Sequence, residues 1–488
     1  MSTRRFLTIL LLAVLTVSVS TRTEAQFWKK KSKRHSHKGK HSADKTTTEK
    51  SDSTQSASSK TDAQETKKSR AERRKEKKER KKREKEARKE LKKANKKHKE
   101  KATASSTGTA EQAQPVVIKQ WSDIAYPPTT KKSHYRVDIL APMYLDELVK
   151  NGYPVKTIPE KAVQGLDFYK GVQIAADTLK KSLFDIDIYV HDVSSLQEST
   201  EMLVNKNMMD STDLIIGAVA LKDIPALAGY AKKKQVNFIS VTAPGDGGVR
   251  DNQYFTMLQP SVKSHCEWIA EDLNTRHAKR RVLVLYRTTI PAEDAAGKYL
   301  LNGEYKNSLK SLLCNAAPKK EALAPFFDTA GKNVVVMPIL DTRYADSLLK
   351  ILKTSFPLAQ FEVYGMPGWP ASSSLLKSGA NVTVNLSTPF MADSTAAIAR
   401  YIAQVFKAEY GGKPTDMVYR GYEAMYWYAN MLKRYGTIFN KQYSDNETAP
   451  FTHFTVKPQW DDKTGNVIYF ENRQLYLKAY ENSAAKAK

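Results

Sequence analysis

Residues 213–244 read DLIIGAVALKDIPALAGYAKKKQVNFISVTAP. The run Leu214-Ile-Ile-Gly217 is apolar and ends on a glycine, as a short buried strand does before a turn. Asp223 to Lys234 is helix-forming sequence, and Val236 to Ser240 is a second apolar run. Strand, helix and strand within about 30 residues make a βαβ unit, which implies a parallel sheet. Both strands end in small or hydroxyl residues. Open parallel sheets bind ligands just beyond the carboxyl ends of their strands, so the layout points to a binding cleft.

The same alternation extends in both directions. Tyr135 to Pro142 reads as a first strand. A helix follows over Gly165 to Leu183, with Leu166, Tyr169, Val172, Ala176 and Leu179 on one face. Ile186 to Val193 is a strand and Glu198 to Met209 a helix. Past the middle, strands are expected at Arg281–Tyr286, Asn333–Leu340, Gln360–Tyr364 and Asn381–Asn385. Helices are expected at Gly297–Leu313, Tyr344–Thr354, Ser394–Tyr410 and Asp416–Arg434. This is α/β sequence with two batches of strands. The segment runs from about residue 134 to 488, which exceeds the usual size of one core, so two lobes are expected.

What precedes residue 134 is of another kind. Arg4 and Arg5 stand before an apolar run, Phe6 to Val19, too short for a comfortable membrane span. Thr23-Glu24-Ala25 carries small residues at the positions an export peptidase reads, so residues 1–25 are expected to be a signal peptide cut after Ala25. An uncleaved anchor is the other reading. Export places the protein in a periplasm or outside the cell. Residues 26–133 form a Lys-rich low-complexity arm and linker. Within it, 27–101 holds 31 Lys/Arg against 12 Asp/Glu, a net of +19 out of the whole chain's +27. Residues 27–66 are too polar to bury a core and are expected to be disordered. Residues 67–101 place charges such as Glu76 and Arg80 at helical spacing and suit a solvated single helix. No apolar heptad makes a coiled coil. Residues 102–133 read as a flexible linker. Export, and the lack of interleaved aromatics, argue against nucleic acid as a partner. The arm is expected either to touch an anionic cell-wall polymer or membrane surface or to act as a spacer.

The two cysteines, Cys266 and Cys314, could pair after export or remain buried thiols. There is no G-x-S-x-G elbow, H-E-x-x-H or Walker loop, and Gly245-Asp-Gly-Gly248 lacks dinucleotide spacing. The chain is therefore expected not to be an enzyme, and to use no cofactor or metal. Asp192, Asp246 and Asp341, all at strand ends, read as separate surface carboxylates.

Residues of about 135–480 resemble the type I periplasmic binding proteins, of the branched-chain amino-acid and ligand-receptor kind. The resemblance is carried by Phe168-Tyr-Lys-Gly171-Val-Gln-Ile-Ala175, Ile186 to Asp192, Leu214-Ile-Ile-Gly217, Phe238-Ile-Ser240, Arg281 to Tyr286, Tyr364-Gly-Met-Pro-Gly-Trp369 and Gly421-Tyr422-Glu423. It implies two α/β lobes that hold ligand between them and close by a hinge. It also implies crossings near Leu258–Val262, Pro389 and Thr452.

The resemblance and the strand ends together give the cleft candidates. They are Tyr144, Leu221, Ser240, Thr242 and Asp246 on the first lobe, with Tyr286, Met366 and Trp369 on the second. Amino-acid binders of this family place hydroxyls after the third strand. Here the loop reads Ala218-Val-Ala220-Leu221, and Pro244 stands where a threonine is expected. Neither Leu221 nor Pro244 offers a side-chain donor to a carboxylate. Lys222, Arg250 or Arg287 are the charged substitutes, though each also reads as a surface residue. Two functions follow. One is a solute-binding domain that captures a small ligand for a transporter or sensor. The other is a cell-envelope regulator, for instance of peptidoglycan synthesis, that uses the fold as a scaffold with a degenerate site.

Overall fold

The computed structural model describes residues 120–487 apart from 151, 183, 306, 307, 377, 378, 380, 394, 482 and 483. The expected signal peptide and the basic arm lie outside the described residues.

The first lobe opens with β1 (Tyr135–Ala141), a small hairpin of β2 (Val149–Lys150) and β3 (Tyr153–Pro154), then β4 (Ile186–Asp192), β5 (Leu214–Gly217), β6 (Asn237–Ser240) and β7 (Phe255–Met257). Helices α1 (Glu160–Lys181), α2 (Thr200–Asn205) and α3 (Ile224–Lys234) connect them. The second lobe holds β8 (Arg281–Tyr286), β9 (Ser308–Leu313), β10 (Lys332–Val336), β11 (Gln360–Tyr364) and β12 (Val382–Thr388). Its helices are α4 (Val262–Arg276), α5 (Pro291–Leu301) and α6 (Thr342–Ser355). The chain ends with α7 (Ala397–Tyr410), α8 (Asp416–Tyr435), β13 (Val456–Trp460), β14 (Val467–Asn472), β15 (Tyr476–Glu481) and β16 (Ala484–Ala487).

The first sheet has the order β13-β14-β7-β6-β5-β1-β4 and is parallel except for the β13–β14 pair. The second has the order β16-β15-β12-β11-β10-β8-β9, with β15 and β16 antiparallel to their neighbours. Every residue of β5 and β6 is buried, because helices cover both faces of a parallel sheet and its strands must be apolar throughout. The apolar stripe of α6, Ala345, Leu348, Leu349 and Leu352, recurs at helical spacing and lies in the core of the second lobe. Asp341 caps that helix by accepting from the amides of Arg343 and Tyr344 at 3.0 and 3.2 Å.

The chain crosses between sheets three times. It leaves the first lobe after β7, returns after β12 as α7 and α8 pack into the first core, and leaves again between β14 and β15. The third crossing is therefore at residues 473–475 and not near Thr452. The hairpin β13–β14 intervenes, and its partly polar, irregular strands hid it from pattern reading. Likewise the helix expected over Gly297–Leu313 stops at Leu301, and Ser308–Leu313 is the edge strand β9. An edge strand buries little, so its sequence shows no clean alternation. The linker expectation for 102–133 fails at its end. Ile124 is buried in the first core, and the Trp121 ring lies 5.5 Å from Phe470. Thr129 Oγ1 donates to the carbonyl of Tyr435 at 2.7 Å. Cys266 and Cys314 are separate buried thiols, pushed up to about 12 and about 11 by burial. The disulfide reading is thereby excluded.

Two helices lock the first lobe. A Cβ on Gly171 would stand 2.0 Å from the Val418 carbonyl oxygen, and one on Gly421 would stand 2.1 Å from that of Phe168. The backbones of α1 and α8 touch, and only glycine permits that approach.

Candidate ligand cleft

In a parallel sheet, the carboxyl ends of the strands share one rim. In the first lobe that rim carries the loops after β1, β4, β5 and β6. Asp192, at the end of β4, is buried and accepts from the amides of Met143, Tyr144, Leu145 and Ser194 at 2.7 to 3.2 Å. It organises the β1 loop and is not a free surface carboxylate. It holds Tyr144 in the left-handed region at φ 54°, with Lys161 Nζ 4.5 Å above its ring. Ser240 ends β6, and its buried hydroxyl has no partner among the described residues. Thr242 is half-buried on the next loop. Asp246 accepts from the Gly248 amide at 2.8 Å and pairs with Arg250 at 2.9 Å, so each satisfies the other. Leu221 is exposed and lies against Gly245. The two loops beyond β5 and β6 thus meet through apolar contact, and no hydroxyl stands where the resemblance wants one.

The second rim departs further from expectation. Met366 and Trp369 are fully buried in the second core and line no cleft surface. The Trp369 ring covers Gly365, and its Nε1 donates to the Ile339 carbonyl at 2.8 Å. A large aromatic just past a strand end reads like a ligand platform, but here it fills the space that Gly365 leaves. The Tyr286 ring lies against Gly297 of α5 and is half-buried. Arg287 is no surface residue. Its guanidinium is paired through Nε and Nη2 with the fully buried Glu293. Glu293 Oε1 also accepts the amides of Leu340 and Asp341 at 2.7 and 2.8 Å. A guanidinium and two amides around one carboxylate make an anion site, and this chain fills it with its own side chain.

The hinge is built from the crossings. Glu471, at the end of β14, accepts from the Ser261 amide at 2.5 Å and the Ser264 hydroxyl at 2.7 Å. Arg473 pairs with Glu267 on α4. Asn472 Nδ2 donates to the Leu258 carbonyl at 3.3 Å. First and third crossings are thus tied together. His265 of α4 shares a 2.7 Å hydrogen bond with Ser387 of β12, which joins them to the second. Burial lowers His265 to about 3, so it is neutral at physiological pH. The unfolded chain takes up its proton near pH 6.5 and the folded chain does not. Stability from this site is therefore full above pH 6.5 and falls below it, at up to about 1.4 kcal/mol per pH unit. Urea titrations between pH 7 and 4 are expected to show this slope, and His265→Asn to flatten it.

Sequence reasoning missed one further group. α8 runs parallel to α1, with Gly421 against Phe168, Gly171 against Val418, and Lys433 beside Ser182. α1 passes closely beneath the end of β1, where a Cβ on Gly165 would meet the Pro142 carbonyl. The first turns of α8 therefore stand at the cleft rim. There a pocket of about 20 Å³ is lined by Phe390, Asp416, Tyr419, Arg420, Glu423 and Phe451. Arg420 Nε and Glu423 Oε2 are buried and without partners among the described residues. The signal in sequence is Asp416, Arg420 and Glu423 at helical spacing on one face of α8. A larger groove of about 400 Å³ lies at the opposite end of the first sheet, between Gln235, Asp251, Trp460 and Val467. It is away from the strand ends that face the second lobe.

No protein-family model and no curated protein matches the chain. Solved structures do match. One is described as a branched-chain amino-acid ABC transporter from Rhodospirillum rubrum; it is 12% identical with a TM-score of 0.52, covering 73% of this chain and 100% of that one. A second is an ABC transporter substrate-binding protein from Desulfitobacterium hafniense in complex with leucine, 14% identical, TM-score 0.46, over 73% of this chain and 100% of that one. A third, from Streptococcus pneumoniae, is a branched-chain amino-acid substrate-binding protein in complex with isoleucine, 14% identical, TM-score 0.44, over 72% of this chain and 98% of that one. With the two sheets and three crossings described above, the first of these establishes the type I periplasmic-binding-protein fold.

Proposed function

We propose that this chain is an exported, non-enzymatic binding protein that takes a small ligand between its two lobes and presents it to a transporter or sensor. The carrying observation is the hinge. Three crossings, tied by Glu471, Asn472 and His265, join two parallel sheets and leave the lobes otherwise independent in topology. Such a joint permits closure around a bound molecule. The basic arm 27–101 would hold the protein near an anionic polymer or membrane by charge. Among the described residues no helix is long and apolar enough to cross a membrane, and no group of acidic, His or Cys side chains is disposed to hold a metal.

A thermal-shift screen against metabolites tests the reading. A ligand at about 100 times its Kd adds roughly 2.7 kcal/mol of stability, a shift of several degrees. At least one compound is expected to do so in a saturable manner. A flat response across sugars, peptides, amino acids and organic acids counts against solute binding.

One observation favours a second reading, that of an envelope scaffold. Glu293 occupies the anion site of the second rim and Leu221 caps the first, so neither position offers a free donor to a ligand. Under this reading the partner is an envelope protein, and the screen stays flat.

A further inference from the structure

We propose that the pocket between Arg420 and Glu423 at the rim of the first lobe is a subsite for the carboxylate group of the cleft ligand. The inference rests on the solute-binding reading and gives it a ligand class: small monocarboxylates, or larger molecules that end in one.

Two buried polar atoms at this pocket lack partners among the described residues. A buried guanidinium N–H without a partner is costly, and so is a buried carboxyl oxygen, because each has given up its water. Arg420 Nε and Glu423 Oε2 are both in that state and both line one pocket. The rest of each residue is well held. Glu423 Oε1 accepts the Thr452 amide at 2.6 Å, and the Arg420 guanidinium lies 4.2 Å from the centre of the Phe390 ring. Both side chains are held in place, and both residues line the same pocket.

That space suits a small group. About 20 Å³ exceeds the 10–15 Å³ a single water needs, and it admits the end of a molecule rather than a whole one. Burial raises Glu423 to about 8, against the opposing pull of the Thr452 amide and hydroxyl, Arg420 and the Phe451 amide. At neutral pH it is therefore protonated, and Oε2–H is a donor. Arg420 Nε–H is a second donor. A carboxylate, with two oxygens side by side, accepts one from each. Asp416, exposed at the mouth, adds a negative charge close by. Its repulsion grows with the charge of the ligand, so phosphate is opposed more strongly than a monocarboxylate. Phe390 and Ala392 belong to the segment just past the second crossing, so a group seated here would touch the hinge as well as the lobe.

The test uses the full-length protein and two small probes. The Arg420 Nε–Hε resonance is identified by its loss in Arg420→Lys. Acetate and propionate are titrated against acetamide, phosphate and matched sodium chloride. The expected result is a saturable shift of that resonance with acetate and propionate, at least ten-fold weaker with acetamide and phosphate. Arg420→Met keeps the apolar stem over Phe390 and is expected to lose acetate binding at an unchanged circular-dichroism spectrum. A resonance indifferent to both carboxylates overturns the proposal, as does carboxylate binding equally strong in Arg420→Met. Hits from the metabolite screen separate the two claims. Hits that bind wild type and Arg420→Met alike overturn the subsite and leave solute binding standing. A screen without hits removes solute binding, while the acetate titration still reports on Arg420.

Discussion

Replacing Gly421 by alanine is expected to destabilise the first lobe by about 3 kcal/mol or more, a result opposite in sign to helix propensity. On propensity alone, alanine in a helix interior is favoured over glycine by about 1 kcal/mol. At Gly421 the added methyl would stand 2.1 Å from the Phe168 carbonyl oxygen, with backbone and not a flexible side chain in the way. Relief requires α1 and α8 to separate, which opens the core formed by Val172, Val418 and Tyr422. Overpacking of this sort typically costs 1–3 kcal/mol and more when backbone must move. Gly229 supplies the control. It is also helical, and a Cβ there meets nothing within 4 Å. Gly229→Ala is expected to gain about 0.5–1 kcal/mol. Urea denaturation of both variants checks the pair. A neutral Gly421→Ala would mean that the helices are not in backbone contact.

The second large effect lies in the other lobe. Arg287→Met strips the guanidinium from a fully buried Glu293, leaving it only the amides of Leu340 and Asp341. Breaking a buried pair by removing one partner costs about 3–5 kcal/mol, because the remaining charge is stranded. Glu293→Leu is expected to cost less, because Arg287 keeps Asp341 at 3.3 Å while the amides of Leu340 and Asp341 lose their acceptor. The double variant is expected to cost clearly less than the two single effects added, since no charge is then left without its partner. Additive losses would show that the pair does not act as a unit.

The architecture was legible in sequence wherever burial was two-sided. β5 and β6 read as apolar runs because helices cover both their faces, and α6 showed its stripe because one face alone is buried. The same rule explains the failures. β9 is an edge strand with few buried residues, and β13 is irregular, so neither left a pattern. Residues 120–133 are polar on average, yet Trp121, Ile124 and Tyr126 pack on the first core, and Thr129 and Lys132 bond to Tyr435 and Asp213. The site was less legible than the fold. Strand-end position picked out Tyr144, Ser240, Thr242 and Asp246 but could not tell a rim residue from one that fills the core. Trp369 went to the core because Gly365 leaves room there, and Met366 is buried in the same core. Glu293 and Arg420 are invisible to motif reading, since what singles them out is which buried atoms they leave satisfied or unsatisfied, and that is decided only by tertiary packing.

The central claim is that the lobes close on a ligand. It is tested most directly by measuring the distance between spin labels at Lys180 on α1 and Lys350 on α6, both exposed, with the native cysteines buried. Wild-type-like protein is measured alone and with the compound that gives the largest thermal shift. The account predicts a single shorter and narrower distance distribution in the presence of the compound. A distribution unchanged at saturating compound would contradict it, and would mean that the hinge joins two lobes that do not move to hold anything.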